Sequence, residues 1–436
     1  MGTTGKTRGF IVLSDLSKIG PYLTDLRARG IAVLAVSQPR GSVMVQRGLE
    51  LLGTAGHPFS ELADVALLDG GDLSGIVDQA SRWTADYDIT GVLVAAEVYV
   101  EAGQVISDLL GLPGPGMRAA RVCRNKLLQR RYLAEWSPKS VLVSAPATTA
   151  GYDGPFPAAV KPLDRESSIG VRLVDNAAAL AAIVEALAPG SRILVEERVR
   201  GREYNVDSIV LEGKPIVTLL TQKGTNENST EFFVELVHTT PPANLDEREA
   251  GLIADAQHGV VDRLAFETGF AHAEYRLTDD GRVVLMEIAA RAPGDACLPL
   301  YHLATGQAVE PVLIDAAMGH ATGYPPAFRR RGRQVYFDHA PGTLLDVHAE
   351  GTGEVRPRWL ADTTGIWPPL RPVDEHAPAK LHELFVLKKR GDRLLPITES
   401  SSRAVTAIFD APLDVDIDAV EAEVRRAVTI ETEPAR

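Results

Sequence analysis

The stretch AHAEYRLTDDGRVVLMEIAARAPGD (residues 271–295) decides how the chain is read. Two alternating, largely apolar runs flank an Asp-Gly pair, the pattern of a β-hairpin. With Asp280 and Gly281 as a two-residue turn, Asp279 pairs with Arg282. Counting outward, Glu274 then falls opposite Glu287. Opposed side chains on a strand pair lie about 5 Å apart, and like charges there repel. A one-residue change in the turn would send the two acids to opposite faces. A divalent cation removes the repulsion, and Mg²⁺ is commonly held by one or two carboxylates plus substrate phosphates. A solvent-facing hairpin that tolerates two acids gives the same spacing, so the neighbouring residues matter. His272, two positions from Glu274, points the same way. Arg291 lies four beyond Glu287, before an APGD whose Gly lets another group approach the backbone. A planar guanidinium beside such an acid pair suits a phosphate or a carboxylate.

Upstream, strand-like and helix-like runs alternate: RGFIVLSD, IAVLAVSQ, ADVALLD and TGVLVAAE are strands, with IGPYLTDLRARG and LSGIVDQASRW as helices. Such alternation implies a parallel sheet covered by helices. Glu97 ends the last of these strands, and ligands gather at the carboxyl ends of parallel strands. It reads equally as a surface Glu at a loop. The Gly- and Pro-rich LLGLPGPGMRAA (109–120) marks a boundary, followed by a basic helix, RVCRNKLLQRRYLAEW. Beyond Pro146 the chain turns β-rich. DEREAGLIADAQHGVVDRLAFETG and TGQAVEPVLIDAAMG are helical. From about 321 a Pro- and Arg-rich stretch leads into short strands and a last helix, DVDIDAVEAEVRRAV.

Two further constellations carry chemistry. In AAVKPLDRESSIGV (158–171), Lys161 sits inside a strand, where burial is costly unless the ammonium meets an anion. An edge-strand Lys that snorkels to water is the plainer account. The following turn can offer backbone N–H groups of Ser167, Ser168 and Gly170 to phosphate oxygens. In ILVEERVRGREYNVD (193–207), an apolar strand runs into Glu196 and Glu197, with Glu203 after a Gly201 turn. Such an acidic strand edge suits an adenine amino group and ribose hydroxyls, and reads equally as a charged loop. The Arg-rich FRRRGR (328–333) is either a substrate-facing anion site or, as such runs more often are, a solvated face.

Bulk properties narrow the class. The 436 residues are long enough for two or three domains, and 45% hydrophobic with 24% charged residues is ordinary for a soluble globular protein. A net charge of −13 argues against nucleic acid or an anionic membrane as partner. Two cysteines, Cys123 and Cys297, make no disulfide framework and no metal spacing, and suit a reducing cytosol. No apolar run spans a membrane and no signal peptide is visible, so a cytoplasmic protein is expected. GTTGKT (2–7) lacks the first Gly of a phosphate-binding loop and any preceding strand, and reads as a disordered tail.

Taken in order, NKLLQR (Lys126, Arg130), VKP…SSIGV, EERVRGREYNVD, VHTTPP, AHAEYRL and LMEIAARAPGD resemble the ATP-grasp superfamily. Within it they are similar to carboxylate–amine ligases of the L-amino acid ligase type, over roughly residues 5–320. The resemblance implies an α/β (α+β) class. It has an N-terminal parallel-sheet, Rossmann-like domain (1–117), a two-lobed ATP-grasp clamp (118–320, small lid lobe about 138–197) and a β-rich C-terminal unit (321–436). It implies ATP and Mg²⁺, or Mn²⁺ in its place, as cofactors. Lys126 and Lys161 would contact the nucleotide, with Lys161 on its phosphates under a lid formed by 165–170. Glu196, Glu197 and Val199 would hold adenine, Glu203 the ribose, and Glu274 and Glu287 the metal. Arg291 would steady an acyl phosphate or a substrate carboxylate. His238 or His272 would accept the amine's proton; a hydrogen-bonded structural His is the alternative for each. Many relatives carry Asn two residues after the second metal Glu; here Ala289 stands there. The implied reaction is ADP-forming amide-bond formation between a small-molecule carboxylate and an amine, and dimers are common among such ligases. Within the superfamily, a carboxylase or nucleotide-precursor synthetase is the competing reading, and outside it a non-catalytic ATP-binding module.

Overall fold

The computed structural model of the chain describes residues 5–145, 151–163, 170–227, 230, 232–325 and 327–434. Ser167, Ser168 and most of the expected lid 165–170 lie outside the described residues, as do residues 1–4 of the N-terminal tail.

The first unit is a parallel sheet. Strands β1 (Thr7–Leu13), β2 (Ala32–Ser37), β3 (Asp64–Leu67) and β4 (Tyr87–Val94) lie in the order β3-β2-β1-β4. Helices α1 (Gly20–Ala28), α2 (Val43–Leu51), α3 (Leu73–Trp83) and α4 (Val100–Leu110) alternate with them. The near-continuous apolar strands β1 and β2 are buried on both faces, as the centre of a helix-covered parallel sheet requires. Glu97 does not end β4 but stands three residues beyond it, at the start of a short 3-10 turn.

The expected single basic helix is two. Helix α5 (Met117–Cys123) stops, and Asn125 caps α6 (Lys126–Tyr132) by accepting from the Leu128 N–H at 3.1 Å. Asn is a strong N-cap, which is why the break falls there.

A small lobe follows, with β5 (Ser140–Ser144), β6 (Ala158–Pro162), β7 (Arg172–Val174), helix α7 (Ala177–Glu185) and β8 (Arg192–Glu197). Its sheet runs antiparallel as β5-β8-β6-β7 around Val160, Val195, Leu180 and Val184.

The large sheet starts with β9 (Arg202–Leu211), β10 (Lys214–Thr225) and β11 (Glu235–Thr240), then helix α8 (Glu247–Leu264), β12 (Gly269–Leu277) and β13 (Val283–Ala289). Helices α9 (Cys297–Thr305) and α10 (Glu310–Ala317) lead to β14 (Arg330–Tyr336), β15 (Gly342–Ala349), β16 (Arg358–Trp359), β17 (Lys380–Val386), β18 (Arg393–Leu394), β19 (Val405–Pro412), α11 (Ile417–Ala427) and β20 (Val428–Glu433). Nine strands share one sheet, β13-β12-β9-β10-β11-β14-β19-β17-β16, while β18-β15-β20 form a separate small sheet. The sheet crosses residue 320 without a break, because β11 pairs with β14.

Strand alternation gives the large sheet two unlike faces. Tyr204, Val206, Ala271, Ala273 and Tyr275 pack under α8 in an apolar core. Glu203, Asn205, Asp207, His272, Glu274 and Arg276 point the other way. The sequence of β9 and β12 thus writes a dry face and a chemical face.

In FRRRGR, Arg329 is exposed, but Arg330 and Arg333 are buried rather than solvated. Arg330 is fully buried against Asp410 and the carbonyls of Asp374, Glu375, Ala377 and Pro378. Arg333 pairs with Asp418 and Glu421. A guanidinium with five donors satisfies several carbonyls at once, so the run ties loops and α11 to the sheet.

Candidate active site

The β12–β13 hairpin sets Glu274 opposite Glu287, but not by the two-residue turn. Thr278 pairs with Arg282 (Thr278 N–H to Arg282 C=O, 3.0 Å), so the loop is three residues, Asp279 to Gly281, with Gly281 at φ +82°. That register puts Tyr275 opposite Leu285 and, continued, would set Glu274 against Met286. A β-bulge at Met286 adds one residue and brings Glu287 back to Glu274's face.

Helix α6 holds the bulged edge in place through side chains three and four residues apart, which share one helix face. Lys126 Nζ donates to Glu287 at 2.9 Å. Gln129 bonds both the N–H and the C=O of Ile288 at 3.1 Å, standing in for a neighbouring strand. Arg130 donates to the Met286 carbonyl at 2.6 Å.

Arg130 also binds Glu196, and Lys161 Nζ reaches the other oxygen of the same carboxylate at 2.8 Å. Burial alone raises the pKa of Glu196, but the two cations outweigh it and pull it to about 2. The acid expected to meet adenine therefore has both oxygens committed to cations. It gathers Arg130 and Lys161 instead. Glu197 N–H and side chain face Lys139, with the side chain accepting from its N–H at 3.2 Å. Val199 is buried and its carbonyl accepts from Arg276 at 2.8 Å. Gly170 stands at φ +74°, where a Cβ would press on Pro162 at 3.0 Å.

One cleft is lined by Lys161 and Glu196 to Val199, by Lys126 beside Glu287, and by Glu203, Phe233, Glu235, Glu274 and Arg276. Behind the lining acids Lys223, with its side chain only 2% exposed, meets Glu203 at 2.8 Å, Glu274 at 3.1 Å and Glu235 at 3.4 Å. Glu203 also takes Arg276, which reaches Glu227 as well. Burial raises the pKa of Glu274. Glu203, Glu235 and Glu287 push it further up, and Lys223 opposes them. Glu287 goes the other way, because Lys126, Lys161 and Arg130 outweigh its burial.

His238, Arg291 and His272 stand apart from the cleft wall. His238 is buried in register with Lys223 and sits 3.9 Å from Asp295. Burial is the main cause that lowers its pKa to about 4, helped by Lys223 and Arg403 and opposed by Asp295 and Glu235. Arg291 donates to Glu97 at 2.7 Å, and Arg124 holds the other oxygen at 3.0 Å. Glu97 thus joins the N-terminal sheet to the end of the hairpin. His272 bonds Asp207 at 2.6 Å, and Tyr301 donates to the same carboxylate.

Sequence reasoning missed Lys223, Arg276, Glu235 and Asp295. Lys223 had the signal that drew attention to Lys161, a lone Lys inside a β-rich run. Asp295 lay within the APGD noted for its Gly alone. Both cysteines are buried and unpaired. Among the described residues no group of three His, Cys, Asp or Glu is placed to hold a metal ion, and no helix is long and apolar enough to cross a membrane.

Comparison with known proteins agrees with this architecture. Residues 154–300 match the family model of the ATP-grasp domain. A D-alanine–D-alanine ligase of Parabacteroides distasonis is 27% identical over 228 residues, 48% of this chain and 67% of that protein. The dapdiamide A synthase of Enterobacter agglomerans is 25% identical over 279 residues, 59% of this chain and 60% of that protein. The chain spans about half the length of the curated relatives it matches. The crystal structure of an L-amino acid ligase from Bacillus licheniformis superposes over 99% of this chain and 100% of that one, with a TM-score of 0.75 at 18% identity. Residues 154–300 thus match an ATP-grasp domain, and the chain as a whole shares the fold of that L-amino acid ligase.

Proposed function

We propose that the protein is an ATP-dependent, ADP-forming ligase that joins a small-molecule carboxylate to an amine, with amino acids or a small peptide as substrates. The observation that carries this reading is the charge distribution of the cleft: three carboxylates share Lys223, while Lys126 beside Glu287 and Lys161 beside Glu196 bring cations to the same cleft. The resemblance to relatives named as amino acid ligases supports the substrate class.

The donor set fits Mg²⁺. Glu274 and Glu287 face each other and belong to no closed protein cage, and Mg²⁺ is typically held by one or two carboxylates with substrate phosphates and water filling the rest. When bound there, it neutralises the transferring phosphoryl group. Ala289 adds no ligand.

The chain's own residues supply position and charge. Lys161, steered by Glu196, and Lys126 contact the phosphates. Adenine falls to Glu197 and the backbone of 197–199, since Glu196 is committed to its cations. A substrate carboxylate oxygen attacks the γ-phosphorus, the bond to ADP breaks, and an acyl phosphate results. Arg291, braced by Glu97, steadies it. The amine then attacks the acyl carbon and phosphate leaves, while the amine's proton passes to a base. His238 suits this role better than His272. It is unprotonated at neutral pH, and its Nδ1 has no hydrogen-bond partner among the described residues. His272 is already held by Asp207.

Incubating the protein with Mg-ATP and pooled amino acids, with products resolved by chromatography and mass spectrometry, tests the proposal. ADP with a new dipeptide mass is the expected result. AMP formation would sink the acyl-phosphate reading, and ATP binding without turnover would favour a non-catalytic module.

A further inference from the structure

The C-terminal unit reaches the chemistry through residues 397–403 and through Tyr336 of β14. Asn226 Nδ2 donates to the Ile397 carbonyl at 2.9 Å, and Ser400 Oγ donates to Glu235 at 3.1 Å. Arg403, only 8% exposed, does more. It donates to both oxygens of Asp295 (2.9 and 3.2 Å) and to the Glu235 carbonyl at 3.1 Å. Its guanidinium also lies 3.8 Å over the Tyr336 ring, and Tyr336 itself donates to Asp295 at 2.7 Å.

Asp295 is the residue next to His238, and the backbone holds it at φ +49°, a conformation costly for most side chains. The carboxylate nevertheless stops 3.9 Å from the imidazole Nε2, short of a hydrogen bond. Its oxygens are taken by the fork of Arg403 and by Tyr336. An Asp next to a His usually captures it and favours the charged imidazolium. Here a cation from a distant part of the chain has captured the Asp first.

We infer that Arg403 is a positioning residue: by holding Asp295 in a bidentate pair it keeps that carboxylate off His238, so that the imidazole stays uncharged and available to take the proton of the attacking amine. This rests on the reading of His238 as the base. The charged groups that face His238 are Asp295 from the loop after β13, Lys223 from β10, Glu235 from its own strand and Arg403 from the segment before β19. Only the Asp295–Arg403 pair joins two of them by direct bidentate hydrogen bonds, so it is the pair that substitution can unbalance. The C-terminal unit thereby becomes part of the active site.

The direct test is an NMR titration of His238 in the full-length protein, with ¹³C-labelled histidine and assignment by His238→Gln, which needs no substrate. In Arg403→Gln, Asp295 is released toward the imidazole, and the titration midpoint moves up by roughly one pH unit or more. In Asp295→Asn it moves down, and Asn tolerates the left-handed backbone there, so the fold is kept. Arg403→Lys, which keeps the charge but not the fork, falls between Arg403→Gln and the wild type. Opposite movements in two variants of one pair are not what loosened packing produces. The acid limb of the kcat–pH profile moves with the titration. An unmoved His238 midpoint in Arg403→Gln and Asp295→Asn overturns the inference. If the midpoints move but His238→Gln keeps the wild-type acid limb, the base assignment fails and the Arg403–Asp295 device stands as electrostatics only.

Discussion

Two glutamates in the same cleft live in opposite electrostatic worlds. Glu196, at the end of the small lobe's β8, has one carboxylate for two cations, Arg130 and Lys161, and its pKa sits near 2. Glu274, on β12 of the large sheet, shares Lys223 with Glu203 and Glu235 and faces Glu287, and its pKa is raised. In the first cluster the cations outnumber the acid; the second has more anion than cation. An acid outnumbered by cations stays ionised, whereas acids that outnumber their cation repel one another. Burial and charge alone do not separate the two roles, because both acids have them. The balance of partners does.

Four substitutions and one condition test that contrast. The largest effect is expected from Glu287→Ala, which removes one of the opposed acids. ADP formation should fall about 10³-fold or more while circular dichroism shows an unchanged fold. Retained activity would show that the deficit is not filled by a metal. Next, the same change made on each side should separate the clusters. Glu196→Gln leaves Arg130 buried without its anion and should cost about 3 kcal/mol in ligand-free unfolding. Glu274→Gln relieves like-charge crowding and should leave that stability within about 1 kcal/mol or raise it. Equal losses would erase the distinction.

Acid sharpens the same point. The folded-state pKa of Glu196 lies below its ordinary value of 4.5, so its stabilising contribution is complete above that pH and disappears as pH falls toward about 2. Unfolding midpoints of the wild type should fall across this window more steeply than those of Glu196→Gln. The smallest effect is expected at the hairpin loop. Gly281→Ala, at φ +82° and exposed, should cost about 1 kcal/mol and leave the kinetics untouched, because the bulge at Met286 rather than the turn sets the acids in register.

That bulge also shows how far sequence reasoning carries. The opposition of Glu274 and Glu287 was expected from a two-residue Asp-Gly turn. The loop has three residues, and the pairing survives because Met286 adds a compensating residue. Neither deviation leaves a mark in the local pattern. The bulge is held by Arg130, which is 156 residues away. FRRRGR shows the reverse error. A run of arginines reads as surface because each charge alone is costly to bury. Arg330 and Arg333 are buried because Asp410, Asp418 and Glu421, far along the chain, meet them.

From the chain alone, then, the strand and helix periods, the parallel-sheet N-terminal unit and the opposition of the acid pair were legible. Each depends on residues near one another in sequence. Tertiary structure decided which charges neutralise which: Arg130 and Lys161 on Glu196, three acids on Lys223, Glu97 on Arg291 and Arg403 on Asp295. The physical reason is that Coulombic and hydrogen-bond partners act over a few ångströms of space, whatever the number of residues between them. A carboxylate's role in this cleft is therefore set by what the fold brings to it.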